Sequence, residues 1–117
     1  MEETSIPVNF TVECLEKPLK KRQVTATIRG KAFINKFGLK VGKKIEIKYK
    51  RKRVGFAIIT DIRLIGYNDL FHHEIINKEG FNSANDLIDC LKPFWKFQWD
   101  KIVGGKQRLP FIEFEWM

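Results

Sequence analysis

Two alternating runs on either side of a cationic turn constrain this chain more than any other feature. Ile45, Ile47 and Tyr49 alternate with Lys44, Glu46, Lys48 and Lys50, and a run rich in β-branched side chains follows over residues 54–64. Alternation with period two sends successive side chains to opposite faces of a strand, which no helix can do. Arg51, Lys52 and Arg53 lie between the runs as a polar turn, so the spacing predicts a β-hairpin with a basic tip.

The same criterion predicts three more strands. Over residues 8–15, Val8, Phe10, Val12 and Cys14 face one way and Asn9, Thr11 and Glu13 the other. Over residues 24–29, Val24, Ala26 and Ile28 share one face and Thr25, Thr27 and Arg29 the opposite one, until Gly30 breaks the run. Residues 109–116 close the chain, with Phe111 and Phe114 apolar and Glu113 and Glu115 exposed.

Between these lie helical signals. Leu70, Phe71, Glu74, Ile75 and Lys78 suit a short helix that Gly80 ends. Ser83 is an N-cap with Asp86 three residues on, and Leu87, Ile88, Leu91, Phe94 and Trp95 repeat at helical spacing until Pro93 bends or ends the run. Residues 31–37 have helical spacing in Phe33, Ile34 and Phe37 but are too short to assign, and residues 16–23, with Pro18, read as a connection. The order predicts one α+β domain over residues 1–117, a curved and mostly antiparallel sheet closing toward a small β-barrel, with two short helices.

Charge is distributed unevenly along this frame. The net charge is +8, yet residues 17–53 hold fifteen lysines and arginines against one acid, Glu46, while the remainder holds seven against thirteen. Concentrated positive charge attracts polyphosphate and releases its counterions, which points to nucleic acid. On the hairpin, Lys48, Lys50, Arg51, Lys52 and Arg53 would straddle a phosphate backbone without reading sequence, and Lys20, Lys21 and Arg22 would extend the patch.

Other chemistries find little footing. Cys14 and Cys90 match no metal-ligand spacing and read as small buried apolar residues. Adjacent His72 and His73 would point apart on a helix, so no metal is expected. No Gly-rich phosphate loop, Cys-x-x-Cys pair or Gly-x-Ser-x-Gly elbow is present, and no cofactor is expected. Phe94 and Trp95 read as packing; Trp99 and Tyr49 could stack on bases but suit packing better. The acidic opening residues carry no apolar leader and no run is long enough to span a membrane, so a cytoplasmic protein is expected.

Four segments together resemble the ASCH domain, of the PUA-like superfamily, over about residues 17–116. They are Thr25-Ala26-Thr27-Ile28-Arg29; Gly42-Lys43-Lys44-Ile45-Glu46-Ile47; Asn77-Lys78-Glu79-Gly80-Phe81 before the Ser83 cap; and Pro110-Phe111-Ile112-Glu113-Phe114-Glu115. The resemblance implies a β-barrel with helices at its side and a cleft between the Thr-Ile-Arg strand and the Glu-Gly region. It also implies an association with RNA, with some members hydrolysing N4-acetylcytidine and others proposed as ribonucleases. That amidohydrolase set is a lysine, a threonine and a glutamate. The threonine falls on Thr27 and the glutamate on Glu79, but the lysine position holds Val24. Lys21 is the nearest substitute amine, since Arg22 is permanently charged and cannot serve as a base. The leading expectation is an RNA-binding domain with a nucleotide cleft that includes Arg29. The alternatives are a hydrolase acting on a small nucleoside or on RNA, and a duplex DNA-binding protein.

Overall fold

The computed structural model describes residues 5–117; the acidic opening of the chain lies outside the described residues. Five strands form one sheet: β1 (Ile6–Phe10), β2 (Ala26–Ile28), β3 (Lys44–Tyr49), β4 (Lys52–Ile65) and β5 (Leu109–Trp116). Their order is β1-β3-β4-β5-β2, antiparallel throughout except for the parallel pair of β1 with β3. The sheet curls into a half-barrel, and its two edge strands, β1 and β2, flank an open seam.

The predicted hairpin forms, with Ile45 opposite Ala57 and Ile47 opposite Gly55. Its tip sits one residue earlier than expected. Lys50 and Arg51 make the turn, both with positive φ (47° and 68°), while Lys52 and Arg53 already belong to β4. A two-residue turn of this hand matches the twist of the strands but favours Asn-Gly. Here β1 holds the strained backbone in place: the Lys50 amide donates to the Phe10 carbonyl (2.8 Å) and the Arg51 amide to Asn9 Oδ1 (2.7 Å).

Helical structure exceeds the two helices expected. The segments are α1 (Glu16–Lys20), α2 (Lys31–Phe37), α3 (His73–Lys78), α4 (Ala84–Leu91) and α5 (Trp99–Val103), with 3-10 turns at Glu13–Leu15 and Tyr67–Phe71. The first strand therefore stops at Phe10. Leu15, just before α1, and Leu19 within it are both buried, and Pro18 falls in its first turn, where a missing N–H costs nothing. This moves Cys14 off the buried face: it is exposed, and Cys90 is half-buried, so neither is the core residue expected. The ambiguous run 31–37 is helical because Gly38, left-handed at φ 60°, closes it.

The core packs the sheet against α1, α3, α4 and α5, with Leu19, Val24, Leu70, Leu87, Ile102 and Phe111 among its fully buried side chains. Leu109 through Ile112 are all buried, so β5 departs from simple alternation: it is covered on both faces at its start. Among the described residues no helix is long and apolar enough to cross a membrane.

Candidate functional site

Among the described residues only two polar side chains are buried, Thr27 and Glu79, and both line one cavity of about 580 Å³ at the seam between β1 and β2. Two independent pieces of local structure bring them there. Thr27 lies in β2, opposite Ile112 of β5. Glu79 sits at the C-terminal end of α3, which is fixed to the strand entry by the Thr25 amide donating to the Lys78 carbonyl (2.7 Å).

Gly80 makes this approach feasible. It adopts φ 86°, and a Cβ there would stand 2.7 Å from Val24 Cγ2 and 3.2 Å from Leu15 Cδ2. Only glycine tolerates both the left-handed backbone and the closeness. Val24 is thus fully buried against the Glu79-Gly80 turn, and its carbonyl accepts from Trp116 Nε1 at 2.7 Å.

Arg29 bridges the seam. Its Nη2 donates to the Asn9 carbonyl of β1 (2.9 Å) and its Nε to Thr27 Oγ1 (3.2 Å), with the guanidinium over the rings of Phe10 (4.9 Å) and Phe33 (5.7 Å). Thr27 accepts from Arg29 and so keeps its own hydroxyl proton to donate.

Electrostatics set the state of Glu79. Burial pushes its carboxyl up to about 8, against the opposing pull of the Ile28 backbone and the Arg29 charge, so the group is largely protonated at neutral pH. Its Oε2 has no hydrogen-bond partner. The cavity therefore presents a neutral carboxylic acid, able to donate and accept, beside a donating hydroxyl. Burial also pushes the Cys90 thiol on the same wall up to about 11, which leaves it unreactive at neutral pH. The other walls are largely apolar and aromatic, including Phe33, Phe81, Phe94 and Trp95.

The remaining sequence candidates separate from this cluster. Lys21 is exposed and outside the cavity lining, and no lysine lines the cavity. Lys20 is exposed and paired with Glu16 at 2.9 Å. Arg22 donates Nη1 to the Met117 carbonyl (2.9 Å) and lies over the Trp116 ring (5.5 Å), tying the end of α1 to the end of β5. On the hairpin, Lys48 and Arg53 both pair with Glu46, and the Arg53 hydrogen bond holds that carboxyl below its usual range. Lys50 lies 3.7 Å from Glu13. Arg51 and Lys52 are exposed at the tip, beside the Asn9 and Phe10 wall of the cavity.

Sequence reasoning missed the aromatic rim. Phe94, assigned to packing, is 70% exposed at the cavity edge, and Phe97 is 91% exposed. Helix α4 ends at Leu91 before Pro93, so these rings leave the helical register that would have buried them. Tyr49 is buried and Trp99 packs edge-on to Tyr67 (6.1 Å), as packing predicts.

Neither the family models nor the curated proteins contain a match to this chain. Solved structures do resemble it. An ASCH domain from Lactobacillus crispatus superposes with a TM-score of 0.69 at 15% identity, covering 97% of this chain and 80% of that one. A protein of Enterococcus faecalis, EF3133, gives 0.68 at 12% identity over 98% of this chain and 82% of that one. A hypothetical protein, PH0355, gives 0.63 at 14% identity over 97% of this chain and all of that one. Matched over nearly its whole length, the chain has the α+β, PUA-like fold of an ASCH domain.

Proposed function

We propose that this chain binds single-stranded RNA, taking one base into the cavity at the β1–β2 seam while the hairpin tip holds the adjoining phosphates. The observation that carries this reading is the convergence of Thr27 and Glu79, the two polar side chains buried among the described residues, at an aromatic-walled cavity, with one buried carboxyl oxygen unpartnered. The volume suits a ligand of base or nucleoside size. A nucleobase edge offers donors and acceptors side by side, which a neutral carboxyl and a hydroxyl can match. A phosphate suits the cavity less well, because Arg29 already donates to Asn9 and Thr27.

Base insertion requires an unpaired base, which favours single strands over duplex DNA. Hydrolysis by the threonine–lysine–glutamate route has less support. Val24 is buried where the lysine would stand, and Lys21 lies outside the cavity. A threonine hydroxyl needs a nearby base before it can attack an amide.

Anisotropy titrations of labelled single-stranded RNA, duplex RNA and duplex DNA across salt concentrations test the proposal, with each probe checked for cleavage. Salt-sensitive binding that favours intact single-stranded RNA supports it. Equal affinity for the duplexes contradicts base insertion, and cleaved probe points to a ribonuclease instead.

A further inference from the structure

A second concavity, of about 480 Å³, adjoins the first and shares Gly30, Trp95 and Gln98 with it. Its rim carries Lys31, Lys106 and Arg108, all exposed, and no acidic residue lines it. Among the described residues none of these three cations forms an ion pair, whereas Lys48, Lys50 and Arg53 of the hairpin each have a carboxylate partner. The groove's cations come from distant parts of the chain. Lys31 opens α2, while Lys106 and Arg108 lie on the turn between α5 and β5. Polar side chains also line it: Gln107 Nε2 donates to Gln98 Oε1 at 2.9 Å.

We infer that this groove carries the phosphate backbone of a single-stranded RNA on the side of the cavity away from the hairpin. The inference rests on the base-binding reading above and extends it to a path. The Asn9 and Phe10 wall adjoins the hairpin tip with Arg51 and Lys52, and the Gly30–Trp95–Gln98 wall adjoins the groove. A strand with one base in the cavity continues on both sides of that base, since the nucleotides before and after it are covalently joined to it, and these two walls offer each side a basic surface. Unpaired cations on the second wall supply what a polyphosphate needs, and the absence of a carboxylate there removes the repulsion that Glu46 and Glu13 impose on the hairpin.

The test compares the full chain with Lys106→Ala/Arg108→Ala, adding Lys31→Ala as a third substitution. All three positions are exposed, so folding is preserved, as thermal melts will verify. The ligands are a short single-stranded RNA, a duplex DNA of equal charge and a free nucleoside. Each phosphate contact with a single strand contributes roughly 0.7 to the slope of log affinity against log salt. The double variant should therefore flatten the RNA slope by about 1.4 and weaken RNA binding about tenfold near physiological salt. Nucleoside binding should not change. An unchanged RNA slope overturns the groove while leaving the cavity reading intact. An equal loss for duplex DNA, bound as tightly as RNA, also overturns it, because a duplex cannot thread the cavity. Failure of the wild type to bind RNA overturns both readings.

Discussion

The hairpin tip and the Trp95 side of the cavity are both basic, yet they present their charge in opposite ways. On the hairpin, lysines and arginines follow one another in sequence, and the fold sets Glu46 between Lys48 and Arg53 and Glu13 beside Lys50. Around the groove, Lys31 lies far in sequence from Lys106 and Arg108, the three line one concavity, and among the described residues no acid lines it with them. Linear charge density is therefore a poor guide to charge available for a ligand. Exposed pairs such as those of the hairpin contribute little to stability, so their carboxylates act mainly to dilute the local field.

The cavity between these two regions differs from both, because rigid packing rather than surface charge builds it. The largest expected effect follows from that difference. Gly80→Ala forces a Cβ to 2.7 Å from Val24 in a left-handed backbone. It should destabilise the fold by roughly 3 kcal/mol in denaturant unfolding. Alanine substitution at Arg51, in the equally left-handed hairpin turn, should cost well under 1 kcal/mol, since that turn already accepts a side chain. Equal costs at the two sites would erase the distinction.

Next in size is the pH dependence of stability that Glu79 imposes. Its carboxyl is protonated in the folded protein up to about pH 8 but ionises near 4.5 once unfolded, so unfolding releases a proton between those values. Stability from this group is full below about pH 4.5 and falls as pH rises toward 8. Glu79→Gln keeps the neutral shape and should remove that fall in melts taken from pH 5 to 8. A wild type whose stability is flat in pH would mean the carboxyl is not held neutral. The hairpin carboxylate Glu46, depressed by Arg53, contributes in the opposite direction and only at acid pH.

Smaller effects separate the roles in binding. Thr27→Ala should lower discrimination among bases more than total affinity, by about 1 kcal/mol for the preferred base, as one hydrogen bond is lost. Arg51→Ala/Lys52→Ala/Arg53→Ala should flatten the salt slope by less than three full phosphate contacts, because Arg53 is already paired with Glu46. A mutant of Thr27 indistinguishable from wild type would detach base reading from the cavity. A hairpin slope change larger than that of the groove variants would reverse the ranking of the two regions.

Local patterns were enough to anticipate much of this architecture. Alternation around Lys44 to Tyr49, the Ser83 cap, which accepts from the Asp86 amide at 3.2 Å, and the stop at Gly80 are each decided by neighbours in sequence. Thr27, Arg29 and Glu79 are singled out by the ASCH resemblance rather than by local pattern, and all three line one cavity. What stayed hidden depends on tertiary contact. Nothing local says that the Asn9 side chain and carbonyl tie the hairpin and Arg29 to the same edge strand. The turn into α1 was masked by an alternation that continued through Cys14 by chance. The cationic groove was averaged away, because residues 92–108 hold five lysines and arginines against one acid inside a remainder that is acidic overall.

The most direct test of the central claim compares a short single-stranded RNA with the same strand lacking its bases, at fixed salt. A base held against aromatic walls is worth roughly 1–3 kcal/mol. The wild type should therefore bind the intact strand about fivefold or more tightly than the abasic one, with Thr27→Ala narrowing the gap. Equal affinity for the two strands would mean that only the backbone is gripped and that the cavity takes no base.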